Sequence, residues 1–167
     1  MNIRSELPTD AGAVRAVNQA AFETNTEADL VDLLREQASP LISLVAEDAG
    51  SIVGHILFSP ATLVAHTDLE IMGLAPMAVL PARQRQGIGS ALARAGLDAC
   101  RHIGSGAVIV LGHPDYYPRF GFLPASRFGI GCEYDVPDEA FMALELLPGA
   151  LAGKSGTIRY HPAFASV

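Results

Sequence analysis

Two periodicities of hydrophobic residues alternate along the chain. Apolar residues recur every three or four positions in three segments, which predicts helices over residues 10–22, 27–37 and 88–102. Alternating or continuous apolar runs of strand length predict strands at residues 2–7, 41–48, 51–58, 70–80, 107–111 and 141–147. Between the second and third of these strands, Ala49-Gly50 predicts a tight hairpin turn.

The order of these elements predicts a single α/β domain over residues 1–167, because neither a linker nor an internal repeat interrupts it. The strand–helix–strand unit from residue 70 to residue 111 predicts a parallel, right-handed crossover. Pro76 lies inside the first of these strands and has no N–H group for a sheet hydrogen bond. That strand should therefore bulge, or part from a neighbour, near Pro76.

Composition and charge exclude several classes of protein. Half of the 167 residues are apolar and 17% are charged, which indicates a folded domain with a real core. No apolar run approaches the roughly 20 residues of a membrane span, and the N-terminus lacks an apolar signal segment, so we expect a cytoplasmic protein without membrane contact. The net charge is −7 and no basic stripe indicates nucleic-acid binding.

The cysteines and histidines do not predict a metal site. Cys100 and Cys132 stand alone, as two buried thiols of a reduced compartment would. The five histidines are scattered, with no pair at the i, i+4 spacing that a helix uses for ligands. We therefore expect no bound metal.

A glycine-containing turn before the helix at residue 88 carries the strongest chemical signal. Gly87 and Gly89 bracket one residue at this helix start, where free N–H groups and the helix dipole favour an anion, phosphate above all. Arg83 and Arg85 add mobile positive charge to an otherwise acidic chain. Taken alone, the glycines fit equally well a plain helix start that needs tight packing. A nucleotide-phosphate site of another fold fits less well, because neither G-x-x-x-x-G-K-[ST] nor G-x-G-x-x-G is present.

Three pieces of sequence in the right order resemble the GNAT superfamily of N-acetyltransferases. Gln84-x-x-Gly87-x-Gly89 resembles the family's pyrophosphate loop, [QR]-x-x-G-x-[GA], and residues 77–81 resemble the strand that precedes it. Residues 117–122 resemble the family's Y-x-x-x-G-F segment. Further similarity along the chain indicates the YhbS-like branch of the family.

The resemblance implies a fold and a reaction. The fold would be a GNAT-type domain, a mixed central sheet with a splayed strand pair and flanking helices. The reaction would move an acetyl group from acetyl-CoA to an amine, by direct attack of the amine on the thioester. Pantetheine would pair with the backbone of Met77, Ala78 and Val79. The diphosphate would bind at Gln84, Arg85, Gln86, Gly87, Ile88, Gly89 and Ser90.

Tyr117 takes the position of the family's tyrosine that protonates the departing CoA thiol. The base is left open among His113, Glu70 and His55.

The acceptor is a small-molecule or protein amine, and the acidic segments 22–30 and 124–140 fit a cationic acceptor and ordinary solvated surface equally. Dimers are common in the family, so a homodimer is compatible with the resemblance. The alternative function is a non-catalytic or regulatory CoA-binding domain.

Overall fold

The computed structural model describes all 167 residues, Met1–Val167. Its three α-helices are α1 (Ala11–Ala21), α2 (Thr26–Gln37) and α3 (Ile88–His102). Each agrees with its predicted helix to within one residue at either end. Helical periodicity therefore located all three correctly.

Nine strands complete the fold, and all six predicted strands are among them. The strands are β1 (Asn2–Ser5), β2 (Ile42–Asp48), β3 (Ser51–Leu63), β4 (Ile71–Val79), β5 (Ala107–Leu111), β6 (Leu123–Pro124), β7 (Ile130–Cys132), β8 (Phe141–Glu145) and β9 (Gly156–Arg159). The sequence did not predict β6, β7 and β9, because strands of two to four residues are too short to show an alternation.

The chain divides into two compact units. The first contains Met1–Ser59, Ala75–Gly96 and Pro162–Val167, and the second contains Pro60–Leu74 and Leu97–His161. Three long elements, β3, β4 and α3, contribute residues to both.

In the first unit, helices cover both faces of an antiparallel sheet formed by β1, β2 and β3. Helices α1 and α2 pack against β2 and β3 through an apolar cluster of Val14, Leu30, Val31, Leu34, Val45, Leu57 and Ala163. Side chains alternate along a strand. Gly54 lies three positions before Leu57 in β3 and therefore faces the opposite side of the sheet. A Cβ added to Gly54 would meet Ile88 and Leu92 of α3 on that side.

In the second unit, β5 is a buried central strand. It pairs in parallel with Ile71–Leu74 of β4 and antiparallel with β8, which also pairs with β6. The short strands β7 and β9 pair with each other, and β9 also pairs with the end of β3. Apolar residues from these strands form one core, with Leu63, Ile109, Leu151 and Ile158 fully buried in it.

Strand β4 leaves its partner partway along its length. The ladder with β5 ends at Leu74, opposite Val110, whereas β4 itself continues to Val79. Residues 75–79 therefore extend beyond the ladder. The predicted parting near Pro76 and the parallel arrangement of β4 and β5 are both confirmed.

The sequence predicts that Ile88, Leu92, Ala95 and Ala99 line the buried face of the third helix, but the buried face of α3 is rotated from that one. Leu92 is fully buried as expected, but Ala95 and Ala99 are only half-buried, and Ala93 and Cys100 are fully buried instead. Small residues give a weak hydrophobic signal, and this helix has many alanines. Its orientation is thus set by packing.

A buried polar chain crosses the layer between α1 and the sheet of the first unit. The Asn18 amide donates to His55 Nδ1 at 3.2 Å, so His55 Nε2 carries the proton and donates to Ser43 Oγ at 2.9 Å. Ser43 in turn donates to Glu6 at 2.7 Å, and Glu6 accepts from Arg35 at 2.6 Å. Burial lowers the pKa of His55 to about 3, with the Arg35 charge acting in the same direction.

The packing of α3 on β3 predicts the effect of a methyl group at Gly96. A Cβ there would overlap the ring of Phe58, which is fully buried and cannot move aside. We expect Gly96→Ala to lower the free energy of unfolding by about 1–3 kcal/mol in urea titrations, despite the better helix propensity of alanine. Gly12→Ala in α1 is the control, because its Cβ would meet no atom within 4 Å. Equal stability of the two variants would contradict this packing.

The neutral state of His55 predicts a specific acid sensitivity. The unfolded chain protonates this imidazole at about pH 6.5, whereas the folded chain resists protonation down to about pH 3. Stability should therefore fall as pH falls through this window, by up to about 1.4 kcal/mol per pH unit. His55→Gln should flatten the slope of unfolding free energy against pH, and substitution of the exposed His102 by Gln should not. Identical slopes in all three proteins would exclude this role for His55.

Candidate functional site

The candidate site begins where β4 ends. Pro81–Arg83 forms a short 3-10 helix, which suits the fixed backbone angle of a proline at its first position. Residues 84–87 then lead into α3 at Ile88. The predicted turn between strand and helix is therefore present at the predicted residues.

The backbone of this turn is shaped to receive a ligand. Gly87 has φ +85°, a left-handed conformation, and a Cβ on it would meet no atom within 4 Å. The first hydrogen bond of the helix runs from Ala91 N–H to the Gly87 carbonyl at 3.0 Å. The N–H groups of Gly87, Ile88 and Gly89 precede that bond, so the helix itself gives them no partner. Free donors at an uncrowded helix start fit an anionic oxygen.

Two glutamines of the turn hold its shape. Gln84 Nε2 donates to the Val79 carbonyl at 3.0 Å, which ties the turn back to the last residue of β4. The Gln86 side chain accepts from Arg83 Nε at 3.2 Å and donates to the Ala82 carbonyl at 3.4 Å. These side chains are committed to the turn, and the backbone is left for a ligand.

The two arginines of the turn differ, and the expectation of mobile charge is wrong for one of them. Arg83 forms an ion pair with Asp48 at 2.7 Å, and it holds the pKa of that carboxyl below its usual range. Arg83 therefore fixes the turn to the end of β2. Arg85 is exposed, lies in a left-handed conformation with φ +63°, and makes no ion pair. It is the arginine of the turn that is available to a ligand.

The last residues of β4 present backbone to a ligand. Ala78 is buried while Met77 and Val79 on either side are half-buried, as expected for a strand. On one side, β4 adjoins β3, and Leu80 N–H donates to the Val53 carbonyl at 2.9 Å. On the other side, the ladder with β5 has already ended, so this edge can pair with an extended ligand.

Tyr117 lies in the second unit at the start of a short 3-10 helix, Tyr117–Phe120. It is 8% exposed and packs edge-on against Phe122 at a ring separation of 5.8 Å. Burial raises the pKa of its phenol to about 12, and Tyr116 acts in the same direction. Tyr116 is half-exposed, and Arg119 lies over its ring at 4.3 Å. The two tyrosines therefore differ in environment.

The structure weakens two of the three base candidates. His55 is fully buried and uses both ring nitrogens in the polar chain already described. Glu70 precedes β4 and lines a shallow cavity of about 550 Å³ at the opposite end of that strand from the turn. His113 is exposed, and its carbonyl accepts from the backbone of the following tyrosines. Neither His55 nor Glu70 is therefore held in the arrangement of a base.

The sequence analysis missed Asp48. Its ion pair with Arg83 joins residues 35 positions apart. No local pattern could have indicated it, because the pairing depends on how β2 and β4 are placed in one sheet.

Cys100 is not a candidate nucleophile, since burial raises the pKa of its thiol to about 12. None of the α-helices combines the length and apolarity that a bilayer crossing requires.

Proteins with a similar sequence and fold include N-acetyltransferases. Residues 12–122 match the acetyltransferase (GNAT) family. The chain is 38% identical to the uncharacterized N-acetyltransferase YhbS of Escherichia coli K12, over 98% of both proteins. A crystal structure of Escherichia coli YhbS in complex with CoA superposes with a TM-score of 0.92 at 36% identity, covering 98% of this chain and 91% of that one.

A second solved structure carries the acetylated cofactor. It is a GNAT-family acetyltransferase from Brucella melitensis in complex with acetyl-CoA, 37% identical to this chain, with a TM-score of 0.81 and coverage of 98% and 97% of the two chains. Sequence, fold and the turn before α3 all lead to the same assignment. The chain belongs to the acetyltransferase (GNAT) family.

Proposed function

We propose that residues 1–167 form one catalytic domain that transfers an acetyl group from acetyl-CoA to an amine. The observation that carries the proposal is the start of α3, where free N–H groups and an open Gly87 fit a diphosphate. Two similar proteins have been solved with CoA or acetyl-CoA bound. The site residues named from the sequence fit this cofactor.

Each part of the cofactor has a matching part of the chain. The diphosphate would bind the N–H groups at the start of α3, with Arg85 supplying nearby positive charge. The pantetheine arm would pair as an added strand with Met77, Ala78 and Val79. Arg83 and Gln84 would act indirectly, since their side chains hold the turn in position.

The reaction needs a neutral amine and a good leaving group. An alkylamine has a pKa of about 10.4, so roughly one molecule in 2,500 is neutral at pH 7. Its nitrogen attacks the thioester carbonyl, the C–S bond breaks, and CoA leaves as a thiolate. A backbone N–H on the exposed edge of β4 would stabilise the carbonyl oxygen as it gains charge. Close positioning of the two reactants supplies much of the rate.

Tyr117 would act on the departing thiolate. With a pKa raised to about 12, its phenol stays protonated throughout the physiological range. A free thiolate has a pKa of about 8.5, so complete proton transfer from this phenol is uphill unless the thiolate is also desolvated. We therefore assign Tyr117 a hydrogen bond to the thiolate, strengthening as the C–S bond breaks, with proton transfer late in the step.

The acceptor is an amine of a small molecule or a protein in the cytoplasm. The net charge of −7 fits a cationic acceptor and does not fit nucleic acid. Both cysteines are free thiols, as is usual in a reducing compartment.

A charge at Gly87 tests the diphosphate site. We expect Gly87→Glu to weaken acetyl-CoA binding by at least about 100-fold in calorimetric titrations, because a carboxylate would enter the space of the diphosphate. Gly104→Glu is the matched control, since Gly104 has nearly the same φ, +86°, and the same open surroundings at the other end of α3. If both variants bind acetyl-CoA like the unmodified protein, the cofactor assignment of this turn is wrong.

Removal of the Tyr117 hydroxyl tests its role. Tyr117→Phe should lower kcat by about 10²-fold or more with little change in acetyl-CoA affinity. Because the raised pKa keeps the phenol protonated, kcat of the unmodified protein should show no alkaline loss from this group up to about pH 10.5. Tyr116→Phe serves as the control. A fully active Tyr117→Phe, or an alkaline loss near pH 9 that this variant abolishes, would contradict the assignment.

A further inference from the structure

Glu27 is a carboxylate that lies outside the proposed cofactor site. It lies in the first turn of α2 and is only partly exposed. Its Oε2 is buried and has no hydrogen-bond partner in the protein. Glu23, in the connection before α2, is exposed. Of these two neighbouring acids, only Glu27 directs an oxygen away from solvent without a donor to receive it.

The position of Glu27 on α2 explains its burial. Leu30, Val31 and Leu34 follow it at spacings of three, four and seven residues, and all three are buried against the sheet of the first unit. Residues at those spacings share one face of a helix. Glu27 therefore extends the buried face of α2 by one turn toward the α1–α2 connection, beyond the apolar cluster.

The C-terminal end of α2 fixes the direction in which the helix runs. Arg35 binds Glu6, which also accepts from Ser43, and Ser43 lies opposite Leu57 in the ladder of β2 with β3. Glu27 precedes Arg35 by eight residues, or about 12 Å along a helix. That distance equals about four residues of a strand. Glu27 therefore lies about four strand residues away, along the strand direction, from the position of Leu57 in the sheet.

The C-terminal end of α1 shows whether Glu27 lies toward the start or toward the end of β3. Asn18, near the C-terminus of α1, contacts His55, which lies between Leu57 and the start of β3. The α1–α2 connection therefore lies toward the start of β3. The same end holds the last residues of β4, because Leu80 N–H donates to the Val53 carbonyl. Glu27 belongs to the end of the first unit that also carries residues 77–79.

An unpaired buried carboxylate oxygen is unfavourable in the free protein. Water is lost from it, and no donor of the chain compensates. A ligand with a protonated nitrogen would provide that donor as a charge-assisted hydrogen bond. In a protein that acetylates amines, the acceptor is such a ligand.

We propose that Glu27 binds the acceptor's ammonium group and takes its proton, an inference that rests on the proposed acetyltransferase function. The carboxylate accepts a hydrogen bond from R–NH3⁺ and then a proton, which leaves R–NH2. The freed lone pair forms the C–N bond as the C–S bond breaks. The amide nitrogen loses its second proton to water, and the CoA sulfur gains one from the hydroxyl of Tyr117, which water reprotonates. Glu27 then releases its proton to water, so each turnover converts R–NH3⁺ and acetyl-CoA into the amide, the CoA thiol and one proton in solvent.

The test compares Glu27→Gln with Glu23→Gln, an equal change of charge at an exposed neighbour. Acetyl transfer to n-butylamine, ethanolamine and spermidine is followed by release of the CoA thiol, across pH 6 to 10. For Glu27→Gln we expect kcat/KM for amine to fall by at least about 100-fold, with the KM for acetyl-CoA within about two-fold. Glu23→Gln should keep the kcat/KM of the unmodified protein, and Glu27→Asp should restore part of the rate that Glu27→Gln loses.

A stability measurement separates this role from a structural one without any acceptor. If Oε2 is unpaired in the free protein, the thermal midpoint of Glu27→Gln should equal or exceed that of Glu23→Gln. A clearly lower midpoint, or equal kinetics of the two variants, would overturn the assignment of Glu27. If the unmodified protein acetylates none of the amines, the proposed function itself fails, which is distinct from activity that ignores Glu27.

Discussion

The unpaired backbone N–H groups at the start of α3 are the constraint on which the candidate site depends. They exist because a helix cannot satisfy its own first donors, and the surrounding residues keep them accessible. Gly87 leaves the approach open, Gln84 ties the turn to the end of β4, and Arg83 ties it to Asp48. An anion site of this kind would be preformed, and binding would then need little reorganisation of the chain.

The parting of β4 from β5 is the second structural requirement, and it follows from the same stretch of chain. The ladder ends at Leu74, and residues 75–79 continue to the turn with one edge available. An extended ligand that pairs with this edge would arrive at the helix start with its anionic end. The strand edge and the helix terminus would thus be two parts of one binding surface within the first unit, and Glu27 is placed toward the same end of that unit.

Much of the fold and of the candidate site was predictable from the sequence because it depends on residues that are close together in the chain. The three helices, the parting near Pro76 and the family resemblance of residues 84–89 depend on short-range patterns, and each is confirmed. The Arg83–Asp48 pair, the buried network of His55 and the unpaired oxygen of Glu27 depend on residues brought together by folding, which a periodicity cannot show. Catalysis by Tyr117 and the cofactor contacts of individual residues remain predictions.

Thermal unfolding in the presence of acetyl-CoA, CoA or ATP shows whether the start of α3 makes this protein an acetyl-CoA enzyme. A ligand that binds only the folded protein adds about 2.7 kcal/mol of stability at one hundred times its dissociation constant, which shifts the midpoint measurably. We expect clear shifts with both CoA species and none with ATP. Absence of any shift with acetyl-CoA and CoA, or a shift with ATP of equal size, would contradict it.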